Sequence, residues 1–175
     1  MLFAIRALAK LTFGGDGQYY NREQRKSVPY EPAMLEIGMK EADFSNKNLG
    51  AGGAIIVGAW ISHKDNGALE KLRMGANSLE GAEAGKALGD AIAANTTLKE
   101  LDLSGKQYCE CDAEFVKGFS PGLSANGALV SANLLNNEIG VEQAQNLATI
   151  LKEHATLKSL CGNKGDETEL DMSDK

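Results

Sequence analysis

The stretch "LRMGANSLEGAEAGKALGDAIAANTTLKELDLSG", residues 72–105, opens and closes on nearly the same phrase. Leu72-x-Met74 leads into an Ala-rich apolar run, and Leu101-x-Leu103 returns 29 residues on. Aligning the chain on this phrase gives unit starts at Ala42, Leu72, Leu101, Ala132 and Leu160, in steps of 30, 29, 31 and 28 residues. The same columns fill in "ADFSNKNLG", "LRMGANSLEG", "LDLSGKQYC" and "ANLLNNEIG". Each unit then places apolar residues four apart: Val57 and Ile61, Leu88 and Ile92, Phe119 and Leu123, Leu147 and Leu151. Leu69, Leu98, Leu129 and Leu157 follow in step. An apolar period of two marks a strand and a spacing of four marks a helix. Their regular alternation predicts an α/β solenoid, with parallel strands near 42–44, 72–74, 101–103 and 132–134. Helices are predicted over 52–63, 81–94, 113–124 and 141–153.

"NTTLKELDLSG" and "NNEIGVEQAQNLATILKEHATLKSL" resemble the leucine-rich repeats of the ribonuclease-inhibitor-like subclass. The resemblance covers residues 42–163 as about four repeats, and implies a right-handed horseshoe with parallel inner strands and outer helices. That subclass includes the Ran GTPase-activating proteins and the sensor ends of NOD-like receptors. Such repeats serve many unrelated partners, so the resemblance speaks to fold far more than to function.

Departures from the pattern carry their own information. The loop asparagine of the repeat is present as Asn77 and Asn137 but is replaced by Lys47 and Lys106. A lysine cannot accept the hydrogen bonds that an asparagine oxygen takes, so those two turns must be closed in another way. Pro121, with Gly118 and Gly122, stands inside the third helical segment and predicts a short or bent helix there. Residues 1–13 fit the end of an earlier repeat, through Leu2, Leu8, Leu11 and Phe13. Residues 164–175 read as the start of a truncated further repeat, with Leu170-x-Met172 as its strand. Neither end carries a polar cap, which predicts either a longer parent chain or partners on the open ends. Residues 14–41 sit where a helix is due, but "GGDG" and two prolines oppose one and predict an inserted hairpin.

Composition narrows the function classes. Hydrophobic content of 43% with 24% charged residues is that of a folded chain. A net charge of −6 argues against general binding to nucleic acid or to an anionic membrane. Three cysteines do not make a disulfide framework and suit a reducing, intracellular setting, with the cytoplasm as the expected compartment. The opening "MLFAIRALAKL" mimics a secretory signal, yet Arg6 and Lys10 interrupt it and no basic segment precedes it.

No motif for catalysis emerges, and no cofactor is expected. "NLGAGGA", residues 48–54, lacks the Lys-Ser/Thr of a phosphate-binding loop and falls at a strand-to-helix turn. Cys109, Cys111 and Asp112 are too few for a tetrahedral zinc site, and Cys161, His63 and His154 lie far off in sequence. No Ser, His and Asp spacing supports a triad.

The expected function is therefore protein–protein interaction without enzymatic activity. On a concave face, Glu41, Lys71 and Glu100 would stack in one column and Asp43, Arg73 and Asp102 in a second, with Asn133 beyond them. Four carboxylates against two cations predict a basic protein partner. Tyr19, Tyr20 and Tyr30 in the insertion form a second candidate surface, because tyrosines bury area at small entropic cost. Two alternatives stand beside this reading: a regulator of a small GTPase, as the resemblance to the Ran-type proteins implies, and a structural subunit or fragment of a larger repeat protein or assembly.

Overall fold

The computed structural model describes residues 10–13, 18–21, 23–63 and 65–160, the side chains of Lys10, Tyr19 and Tyr20 excepted. Four short strands, β5 (Glu41–Asp43), β6 (Lys71–Arg73), β7 (Glu100–Asp102) and β8 (Ser131–Asn133), form one parallel sheet in chain order. Helices α1 (Gly50–Ile61), α2 (Ala82–Ala94) and α3 (Ala113–Ala125) connect successive strands, and α4 (Gly140–Glu153) follows the last. The middle residue of each strand, Ala42, Leu72, Leu101 or Ala132, is buried, while most of its neighbours are exposed or half-exposed. Alternation along an extended chain sends one set inward to meet the helices, and Leu88, Ile92, Phe119 and Leu123 close the core from the other side.

The horseshoe expected from the repeat is corrected by the strand pairing. The described fold is a small α/β unit: the parallel sheet with its four helices, and two separate two-stranded antiparallel sheets. β1 (Lys10–Phe13), which column alignment would add to the parallel sheet, instead runs antiparallel to β4 (Ala33–Glu36), with Leu11 opposite Leu35. The second small sheet is the hairpin of β2 (Gln18–Asn21) and β3 (Lys26–Pro29). Parallel neighbours need a crossover connection, usually a helix. The described residues between β1 and β5 supply only short extended runs and turns, so β1 pairs antiparallel with β4. Ala33 and Leu35 of β4 are buried and belong to the same hydrophobic core as Phe44. Of the expected earlier repeat, residues 1–13, all but β1 lies outside the described residues, as does the whole of the expected later one, residues 164–175.

Pro121 does not shorten its helix. α3 spans 13 residues, as many as α2, with Pro121 in its interior. The neighbouring glycines serve close helix approach: a Cβ at Gly122 would collide with the Gly89 carbonyl, and one at Gly118 with that of Ala82. From the facing side, a Cβ at Gly89 would stand 2.9 Å from the Phe119 carbonyl. α2 and α3 thus meet backbone to backbone, which makes enlargement at these positions destabilising. The glycine cluster "NLGAGGA" opens α1, where Gly53 sits against the Leu49 side chain.

Candidate functional site

The sheet has one face against the helices and one open. Register places Glu41, Lys71 and Glu100 opposite one another, with Ser131 next in line. Asp43, Arg73, Asp102 and Asn133 form the second column. A shallow depression of about 140 Å³ is lined by Lys71, Arg73, Glu100, Asp102, Ser131 and Asn133. All seven sheet residues read from the sequence therefore share one face.

Their side chains do not pair as alternating charges would. Lys71 Nζ meets Glu100 Oε2 at 2.9 Å, the one ion pair on this face among the described residues. In the second column, Asp43 accepts the Ser45 backbone N–H at 3.0 Å and Asp102 accepts that of Ser104 at 2.9 Å. Asn133 repeats the same turn toward Leu135 at 3.2 Å. An Asx side chain two residues before a free N–H closes the strand exit locally, and this local bond holds the carboxylates. Arg73, which has no acceptor to offer its own turn, is half-exposed between them with no carboxylate within 4.0 Å among the described residues.

Asparagines set the turns beyond the strands. Asn77, 1% exposed, accepts the Lys47 and Leu49 N–H groups at 2.9 and 3.3 Å. Its amide donates to the Phe44 and Met74 carbonyls, both at 2.8 Å. Asn137 accepts the Cys111 N–H at 2.7 Å and donates to Leu103 and Leu134 at 2.8 and 3.0 Å. Each asparagine therefore ties its own turn to the turn of the unit before it. That answers how the Lys47 and Lys106 turns close: the next unit supplies the missing side chain.

The remaining candidates have structural partners. Asp112 caps α3 by accepting the Phe115 N–H at 2.6 Å and also receives the Gly81 N–H at 3.1 Å. Cys111 is buried, and burial first, then the Asp112 charge, pushes its thiol up to about 12. A thiol of this kind is neither nucleophile nor ready ligand. His154 Nδ1 accepts the Thr156 and Leu157 N–H groups, which puts its proton on Nε2, 3.1 Å from the Leu123 carbonyl. It thus occupies the role that Asn126 plays for Ala128 and Leu129 one unit earlier. Among the described residues no cluster of three His, Cys, Asp or Glu is gathered as a metal site. No described helix is long and apolar enough to cross a membrane.

Of the three tyrosines of the insertion, Tyr19 and Tyr20 lie in β2 with side chains outside the described set. Tyr30, just after β3, lines a groove at the ends of the parallel strands and not the sheet face. Sequence reading missed this groove, although it noticed two of its residues, Lys47 and Lys106, as departures from the repeat.

No family model and no curated protein matches the chain. Among solved structures, leiomodin-1 actin-binding site 2 is similar, with a TM-score of 0.56 and 17% identity over 70% of this chain and 69% of that one. At that identity the likeness is one of fold.

Proposed function

We propose that the chain is a non-enzymatic protein-interaction module whose partner docks on the open face of the parallel sheet. The observation that carries this reading is the assembly of Glu41, Asp43, Lys71, Arg73, Glu100, Asp102 and Asn133 on one uncovered face, held in register by backbone pairing. The leucine-rich-repeat resemblance of its units supports the same reading, since such repeats serve as binding scaffolds. Four carboxylates against two cations make the face acidic, and the complementary partner surface is basic. Salt would weaken such an encounter, because exposed charges are screened over about 8–10 Å. The similar leiomodin-1 structure is titled as an actin-binding site, which makes actin the first partner to assay.

The test is affinity capture with the full chain, followed by direct titration of each captured protein and of actin. The comparison variant carries Glu41→Gln, Asp43→Asn, Glu100→Gln and Asp102→Asn. Asn133 shows that an amide at this column still closes the turn, so the variant keeps its fold while losing the charge. The expected outcome is a partner that binds the wild type, binds less well as salt rises, and loses at least about tenfold in affinity for the variant. A partner held equally well by the neutralised chain refutes docking on this face.

A further inference from the structure

At the C-terminal ends of the parallel strands, a groove of about 590 Å³ opens between the insertion and the turns. Pro29, Tyr30 and Glu31 line it from the insertion, and Lys47, Ala76 and Lys106 from the turns after β5, β6 and β7. The groove shares no lining residue with the depression on the sheet face. Crevices at this end of a parallel sheet are common ligand sites, and the volume is that of a cleft holding a short segment.

Its charge opposes that of the molecule. The chain carries −6 overall, yet two lysines and one glutamate line the groove. Neither lysine side chain is engaged in closing its own turn, since Asn77 and Asn137 reach back from the following units. Lys106 is exposed, with no carboxylate within 4.0 Å among the described residues. Lys47 Nζ meets Glu31 at 3.3 Å, but that carboxylate is 89% exposed. The Lys47 side chain is only 19% exposed, so a ligand carboxylate reaches it by displacing Glu31, and releasing that well-solvated partner costs little. Beside the groove, Tyr108 is 84% exposed and sits at φ 66°, a left-handed conformation that a bulky residue adopts only when its surroundings hold it there. Ser78 Oγ donates to its carbonyl and Glu110 accepts its N–H.

We propose that this groove binds an extended acidic peptide segment of a partner protein. Its carboxylates face Lys47 and Lys106, and an apolar side chain rests against Tyr30, Pro29 and Ala76. A nucleic acid fits less well, because a long polyanion would run out of the groove onto the acidic remainder of the surface.

The test is fluorescence anisotropy of the full chain with a labelled peptide of alternating Asp and Leu. A Lys and Leu peptide and a labelled single-stranded oligonucleotide serve as comparisons. The Asp peptide should bind, and Lys106→Glu should weaken it by at least about tenfold, with Lys106→Gln intermediate. Tyr30→Ala should also weaken it, while Lys71→Ala on the sheet face leaves it unchanged. Lys106 is exposed, so circular dichroism of its variants should match the wild type. The proposal is overturned by no binding of the Asp peptide, by equal binding to Lys106→Glu, or by equal or tighter binding of the Lys peptide or the oligonucleotide. Because the two surfaces share no residue, loss of partner docking on the sheet face leaves this outcome unaffected.

Discussion

Two kinds of turn follow the parallel strands. Asn77 and Asn137 turns are closed from within, whereas the Lys47 and Lys106 turns are closed by the asparagine of the next unit. One amide therefore serves two turns, and every second turn is released from carrying its own. The released positions both hold lysine, and both lysines line the same groove. A residue that looks like a defect in a repeat can thus mark a position released from closing its own turn.

The comparison is broken most severely at Asn77. Removing its side chain as Asn77→Ala strands the Lys47 and Leu49 donors and the Phe44 and Met74 carbonyls in a buried site. Unmet buried groups cost about 1–3 kcal/mol each, so on the order of 4 kcal/mol of stability should be lost in urea melts. Asn137→Ala strands the Cys111 donor and the Leu134 carbonyl and leaves Leu103 only the weak Cys111 thiol, at a half-exposed site, so it should lose about half as much. Equal losses, or a small loss at Asn77, would show that the shared amide does not hold the two turns.

Cys111 sharpens the comparison within the Lys106 turn, where its N–H is held by Asn137. Burial raises its thiol from 9.0 to about 12, so the folded state favours the neutral form. The unfolded chain ionises first as pH rises, and it then binds fewer protons than the folded chain. The contribution is intact below pH 9 and is lost as pH climbs from 9 toward 12. This one contribution falls by about 1.4 kcal/mol per pH unit in that window. Urea melts between pH 9 and 12 should therefore lose stability more steeply with pH in wild type than in Cys111→Ala. Identical slopes would remove Cys111 from the account.

The smallest stability effect is expected at the lysines. Lys47→Asn and Lys106→Asn restore the repeat residue to turns that are already closed, so each should shift stability by less than about 0.5 kcal/mol. A gain beyond about 1 kcal/mol would show that the restored amide completes a network the neighbouring asparagine leaves open.

Periodicity alone placed the four parallel strands to within a residue; Ala42, Leu72, Leu101 and Ala132, which it read as strand starts, are the buried middle residues. It also placed all seven residues on the open face. These features follow from local rules, since strand alternation and the spacing of four on a helix depend only on nearby residues. Glycine and proline in residues 14–41 likewise spoke against a long helix, because their effects on the backbone are intrinsic to the residue.

Tertiary structure alone decided the rest. β1 joined β4 and not the parallel sheet because pairing depends on which strand the intervening chain can deliver, and that lies outside any one column. Asp43 and Asp102 turned to backbone N–H groups two residues away, so the alternating ion pairs reduced to Lys71 with Glu100. Pro121 stayed inside a full-length helix that packs backbone to backbone against α2. The Lys47 turn is closed by an amide 30 residues on, a partner that no local pattern names. The groove exists only because residues near 30, 47 and 106 converge in space. Hydrogen bonds and clefts are made between groups that meet in three dimensions, so a one-dimensional period can place the elements while leaving their closures undetermined.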